Sequence, residues 1–145
     1  MGFTIIQPKT EKEYYEYFLL RWEILRKPWN QPKIIAPVES DDSSTHFSVI
    51  NTDKKTVGVC RLHFNTDQEV QVRFVAIHSA FQGNGIGKLI MQKVENFAQN
   101  NGATKMILHA RENAVPFYKN LNYSVIKKTH LLFGKIQHYL MEKEL

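Results

Sequence analysis

The chain has 145 residues, 43% of them hydrophobic and 23% charged; that is enough to bury a core as one domain, and no apolar run is long enough to span a membrane. Cys60 is the single cysteine, which excludes an internal disulfide and a thiolate cluster, and the six histidines show neither H-x-x-x-H nor H-E-x-x-H spacing, so no metal site is expected. The net charge of +5 suits an anionic ligand, but the basic residues are scattered along the chain, which argues against nucleic acid as a partner.

The opening, MGFTIIQPKT, lacks the basic n-region and cleavage site of a signal peptide, and Ile6 stands where a myristoylation signal has Ser or Thr. A cytoplasmic protein is expected. FTIIQP reads as a short strand. Thr10, with Glu13 three residues on, makes a capping box. The helix it opens places Tyr14, Phe18, Leu19, Trp22 and Leu25 toward a core and must stop before Pro28. KPWNQPKIIAPVESDDSST carries three prolines and reads as a long loop, a kind of segment that is often functional in compact domains.

HFSVI, VGVCRLHF and EVQVRFVAI follow as three strands joined by the turns NTDKKT and NTDQ, an antiparallel start to a sheet. The third alternates at Val70, Val72 and Phe74, but from Phe74 to Ile77 both faces are apolar, as in a strand covered on both sides at its end. FQGNGIGK then opens a helix with Ile86, Leu89, Ile90, Val94, Phe97 and Ala98 on one stripe. Gly102 ends that helix, and TKMILHA is a strand. Asn113 is placed to cap a short helix with Pro116 in its first turn, and Asn122 is a left-handed terminator. YSVIKKTHLLF and KIQHYLMEKEL, on either side of Gly134, read as a hairpin.

Gly83, Gly85 and Gly87 are costly at the mouth of a helix, at about 1 kcal/mol each against Ala. A strand, a glycine-rich turn and a helix N-terminus together make an anion site, because free N–H groups and the helix dipole converge there. The P-loop pattern fits poorly: the glycine spacing is one residue short, and Leu89 replaces the hydroxyl that would hold magnesium. The Rossmann fingerprint also fits poorly, since the glycines read G-x-G-x-G and follow antiparallel strands. The Q/R-x-x-G-x-G/A pattern of the GNAT N-acetyltransferases is matched by Gln82, Gly85 and Gly87. VAIHSAFQGNGIGKLIM resembles that family's cofactor segment, and AVPFYKNLNY resembles its A-x-x-FY-x-x-x-GF segment, with Asn122 in place of the glycine. The resemblance runs from about Val70 to Tyr123. Before it, LRWEILRKPW, Asp42 and His46 resemble the ElaA-like branch more loosely.

The resemblance implies one domain over residues 1–145 with the GNAT fold, of the α/β (α+β) class: a mixed, mostly antiparallel sheet flanked by helices. It implies acetyl-CoA, with coenzyme A as product, as co-substrate. Backbone N–H groups of Gln82, Gly83, Asn84, Gly85, Ile86, Gly87 and Lys88 would bind the pyrophosphate, and the pantetheine arm would pair with Val75, Ala76 and Ile77. Phe117 and Tyr118 fall on the FY pair, and Tyr118 would be the general acid that protonates the leaving thiolate. A frequent asparagine of the family falls on Arg111, with Asn113 nearby. Arg111 is thus a candidate for a phosphate of the cofactor or for an anionic substrate, and Asn113 for a cofactor contact.

Acetyl transfer to an amine needs the free base. A lysine-like amine with a pKa near 10.4 gives that form at pH 7 for roughly 4.6 kcal/mol, so a proton acceptor is wanted. The family's strand glutamate aligns with Gln71, which takes no proton. The candidates that remain are Glu69, His109, His138 and the acidic loop residues Glu39, Asp41 and Asp42. Cys60 has no evident base partner, so no acyl-enzyme is expected, and the oxyanion would form near a strand-end N–H such as that of Ile77. The expected activity is acetyl transfer by direct attack to the primary amine of a small molecule or peptide. No nucleic-acid or membrane partner is expected, and a homodimer is compatible with the reading. The alternative is a non-catalytic acyl-CoA-binding or sensing module.

Overall fold

The computed structural model describes residues 2–38 and 40–145. Seven strands form one hydrogen-bonded sheet: β1 (Thr4–Ile6), β2 (Thr45–Ile50), β3 (Thr56–Phe64), β4 (Glu69–Ile77), β5 (Lys105–Arg111), β6 (Ser124–Leu132) and β7 (Ile136–Glu144), in the order β1-β2-β3-β4-β5-β7-β6. Three α-helices lie in the connections, α1 (Glu11–Leu25), α2 (Ile86–Asn100) and α3 (Val115–Asn120). The pairs β1–β2, β2–β3, β5–β7 and β6–β7 are antiparallel, and β4–β5 is parallel. This is the mixed, mostly antiparallel sheet expected from the sequence. No helix among the described residues is long and apolar enough to cross a membrane. The chain divides into two compact units, Met1–His63 with Phe74–Val94 and Phe64–Arg73 with Glu95–Leu145.

In the first unit, α1 begins as its sequence dictates. The Thr10 hydroxyl accepts from the Glu13 amide at 3.1 Å, and the Glu13 carboxylate accepts from the Thr10 amide at 3.0 Å. Such a cap stabilises a helix by about 1 kcal/mol. The buried face matches the one the spacing suggested only in part: Phe18 is buried and Tyr14 and Leu25 pack beside it. Tyr17, Phe18, Leu20 and Arg21 are buried, while Leu19 and Trp22 are only half-buried. Arg21 is buried against a charge partner, which no apolar pattern anticipates. Tyr17, Phe18 and Leu20 pack with Val59 of β3 and Ala76 of β4, and Tyr14, Ile24, Leu25 and Ile35 border that cluster. A 3-10 turn at Lys27–Trp29 follows α1 and contains Pro28.

Helix α2 buries Ile86, Ile90, Met91, Val94 and Ala98, whereas Leu89 is 37% exposed. Met91 takes the place on the stripe that the sequence assigned to Leu89. In the second unit, α3 has Ala114 as its N-cap and Pro116 in its first turn. Asn113 is therefore not the cap; it lies within a 3-10 turn, Glu112–Ala114, that precedes α3. Asn122 ends the segment at φ +73°, its amide donating to the Lys119 carbonyl at 3.0 Å. The β6–β7 hairpin forms as expected, with Gly134 at φ +67° in its turn.

Candidate functional site

In the first unit the candidate residues lie on the end of β4 and in the loop that leads into α2. Phe74 departs from the strand alternation, because its φ is +56°. A left-handed conformation at a bulky residue costs on the order of 1–3 kcal/mol and persists only where its surroundings enforce it. Two guanidiniums lie over its ring, Arg21 at 4.5 Å and Arg61 at 5.0 Å from the centroid. Both bond to Asp41. Arg21 donates to Oδ1 at 3.1 Å and to Oδ2 at 2.8 Å, and Arg61 donates to Oδ1 at 3.0 Å. All three side chains are buried. Burial alone would raise the Asp41 pKa, but the bonds from Arg21, the Val38 amide and Arg61 outweigh it and bring the carboxyl down to about 2.

The same loop is tied to β2 and α1 through His46. Its Nε2 lies 2.7 Å from the Asp41 carbonyl and its Nδ1 lies 2.8 Å from the Tyr17 hydroxyl. Burial lowers the His46 pKa. The neutral tautomer that fits donates from Nε2 and accepts at Nδ1. Cys60 is wholly buried and burial pushes its thiol up, so it is no nucleophile.

Beyond Ile77 a 3-10 turn, Ser79–Phe81, is capped by the His78 ring, whose Nδ1 accepts from the Ala80 amide at 3.1 Å. Gln82 Nε2 donates to the Ile77 carbonyl at 3.1 Å, and Asn84 Nδ2 donates to the Phe81 carbonyl at 3.1 Å. These side chains brace the loop from within. Gly83 has φ +84° and Gly85 has φ +76°, and a Cβ at either would meet no atom within 4 Å. Left-handed backbone, and not crowding inside the chain, therefore demands glycine there. The first turn of α2 closes with the Leu89 amide on the Gly85 carbonyl at 3.0 Å. The amides of Ile86, Gly87 and Lys88 thus have no acceptor within the helix. Gln82, Gly83, Asn84, Gly85 and Lys88 are exposed. Ile86 is different, since it is buried. Gly58 of β3 makes that possible: a Cβ there would stand 3.1 Å from Ile86 Cγ2 and 3.2 Å from Ile77 Cδ1. Sequence reasoning missed Gly58, although a glycine inside a strand pattern signals such close approach.

In the second unit, β5 turns Leu108 and Ala110 inward and leaves His109 exposed and Arg111 half-buried. Tyr118 on α3 is 7% exposed, its ring meeting Phe117 at 5.0 Å and Tyr123 at 5.8 Å between centroids. Tyr123 donates to Glu95 Oε2 at 2.8 Å, and Lys143 bonds the other oxygen of Glu95 at 2.8 Å. That pairing anchors the aromatic floor under Tyr118. His109 Nδ1 lies 3.3 Å from the Thr129 hydroxyl. Burial, then the neighbouring His130, Arg73 and Lys127, lower its pKa. His138 is buried, with Nδ1 at 2.9 Å from the Ile136 carbonyl, and its pKa is also lowered, chiefly by burial. Asn113 is exposed.

The other base candidates fare as follows. Asp41 is committed to two arginines and has a pKa near 2, so it is a structural anion and not a proton acceptor at neutral pH. Glu69 stands opposite Lys105 in the β4–β5 register and accepts from Asn65 at 3.1 Å, while Gln71 accepts from the same Asn65 at 3.3 Å. Asp42 is exposed, and Glu39 lies outside the described residues. No cluster of three or more metal-ligating side chains occurs among the described residues.

Residues 31–145 match the family model described as an acetyltransferase (GNAT) domain. Over 136 residues, 94% of this chain and 96% of the relative, the chain is 30% identical to an uncharacterized N-acetyltransferase, YjcF, of Bacillus subtilis. The structure is similar to that of a putative N-acetyltransferase from Lactobacillus plantarum, with a TM-score of 0.86 and 18% identity over 100% of this chain and 99% of the other. It also resembles an aminoglycoside 6'-N-acetyltransferase complexed with coenzyme A, with a TM-score of 0.81 and 13% identity over 99% and 97% of the two chains. At those identities the likeness is one of fold.

Proposed function

This chain is an acyltransferase that belongs to the GNAT N-acetyltransferase family, and from that premise we propose that it transfers the acetyl group of acetyl-CoA to a primary amine by direct attack. The observation that carries the reading is the loop from Gln82 to Lys88. Two left-handed glycines with open space above them, and the first amides of α2, which have no acceptor within the helix, suit a pyrophosphate. Charge-assisted bonds of that kind contribute about 1.5–3 kcal/mol each. The coenzyme A held by a neighbour of the same fold supports the same ligand here.

In this reading Val75, Ala76 and Ile77 offer backbone partners to the pantetheine arm, and the Ile77 N–H faces the developing oxyanion. His109, whose pKa is lowered by burial and then by the basic groups around it, accepts the proton of the incoming amine. The amine nitrogen bonds to the carbonyl carbon, the carbon–sulfur bond breaks, and Tyr118 gives its proton to the departing thiolate. His138 is the less suitable base, because it is buried and its Nδ1 is engaged with the Ile136 carbonyl. Phe117 and Asn113 serve the cofactor side.

Melting the protein with acetyl-CoA, with ATP–magnesium and with NAD tests the ligand. Acetyl-CoA alone should raise the melting temperature by mass action, and stabilisation by ATP alone would end the reading. A thiol-release assay across a panel of amines then tests turnover.

A further inference from the structure

Three imidazoles and a guanidinium that the sequence scatters come together on one face of the β5–β7–β6 sheet. Arg111 stands directly opposite His138 in the β5–β7 register. The His138 ring stacks on His130 of β6, with centroids 4.3 Å apart and planes at 19°. His109 of β5 lies 5.5 Å from His130. His138 is 6% exposed, and its Nδ1 bonds the Ile136 carbonyl, which leaves Nε2 for any outside group. His109 and His130 are exposed.

The leading charge interactions of His109 and His138 are with basic groups. Besides burial, His109 feels His130, Arg73 and Lys127, and His138 feels His130, Arg111 and His109. They come from β4, β5 and β6, and the Thr129 hydroxyl beside His109 is neutral. Protonating both stacked rings would set two like charges about 4 Å apart in an already positive field, which is unfavourable unless an anion sits against them. An anion reverses the balance: it favours the imidazolium forms and gains charge-assisted bonds from them.

We propose that this face is an anion-recognition site, and that the amine acceptor carries a carboxylate or phosphate held by His130, His138 and Arg111. The word acceptor rests on the acetyltransferase reading; the anion site does not. His109, beside His130, then meets the amine of a molecule whose acidic end is already fixed.

The test has two arms. In the first, inorganic sulfate, whose charge is constant between pH 6 and 8, is titrated into protein saturated with coenzyme A while the imidazole proton resonances are followed. Sulfate should bind about tenfold more tightly at pH 6 than at pH 8 and shift the resonances of His130 and His138 together. His130→Asn, at an exposed position, should weaken it at least about fivefold, while Lys127→Gln on the same strand should weaken it less. Binding that ignores pH, or equal losses in the two variants, would overturn the site. In the second arm, an ω-amino carboxylate, an aminoalkyl phosphate and an α,ω-diamine of matched length are compared as acceptors. One or both acid-bearing amines should be preferred by about tenfold in kcat/KM, through KM, and His130→Asn should shrink that preference ratio; which acid wins identifies the anion. A preference for the diamine would overturn the assignment of the acceptor. Sulfate binding as described without turnover of any amine would sink the acetyltransferase reading and leave the anion site standing.

Discussion

Replacing Asp41 by Asn should have a large effect on stability that can be worked out from the structure. The carboxylate is 3% exposed and bonds two buried guanidiniums at 2.8–3.1 Å. Asparagine keeps the shape but removes the charge, so two buried cations lose their counter-ion. Breaking a buried pair in this way costs about 3–5 kcal/mol. A second line of reasoning gives a consistent figure. The Asp41 pKa falls from 3.8 to about 2 on folding, and at 1.36 kcal/mol per unit this contributes about 2.5 kcal/mol near neutral pH. Because the folded pKa is the lower one, that contribution is full above about pH 4 and is lost as pH falls through about 2. Urea unfolding of wild type and Asp41→Asn at pH 7, 4, 3 and 2 reads both effects. The variant should unfold at a midpoint lower by about 1–5 M, given slopes of roughly 1–3 kcal/mol per M. The gap between the two proteins should narrow by about 2.5 kcal/mol toward pH 2. A variant within 1 kcal/mol of wild type at pH 7, with a gap independent of pH, would refute the argument and return Asp41 to the pool of free carboxylates.

Gly85→Val puts a β-branched residue at φ +76°, where only glycine is at ease. Coenzyme A affinity measured by calorimetry should collapse while the protein stays folded, and wild-type affinity would remove the loop from the site. Tyr118→Phe removes one hydroxyl from a buried aromatic stack. Turnover should fall by about 10²–10⁴ with an almost unchanged coenzyme A dissociation constant, and full turnover would remove the general acid. With His109 as base, kcat/KM should rise with pH through a free-enzyme limb below the ordinary histidine value, since its pKa is lowered, and that limb should vanish in His109→Gln. A limb that survives the substitution moves the base to another group.

What the sequence determined by itself is what short-range geometry controls. Thr10 and Glu13 stand three residues apart, so the capping box exists as soon as the first helical turn does. Gly83, Gly85 and Asn122 sit where φ is positive, a requirement of the backbone that residue type reports directly. Gly134 and the two alternating runs beside it specify the hairpin. Tertiary structure decided whatever depends on residues distant in the chain. Arg21, Asp41 and Arg61 are separated by 20 residues at each step, and an arginine on a helix reads as solvated until its burial partner is known. That pairing puts Arg21 on the buried face of α1 beside Tyr17 and Phe18. Phe74 reads as an ordinary strand residue, and its left-handed backbone is visible only with the two guanidiniums over its ring. His130 carried no signal at all. It meets His109 and His138 because β7 inserts between β5 and β6 with a register that sets Arg111 opposite His138, and pairing order and register are properties of the assembled sheet, which no single strand carries.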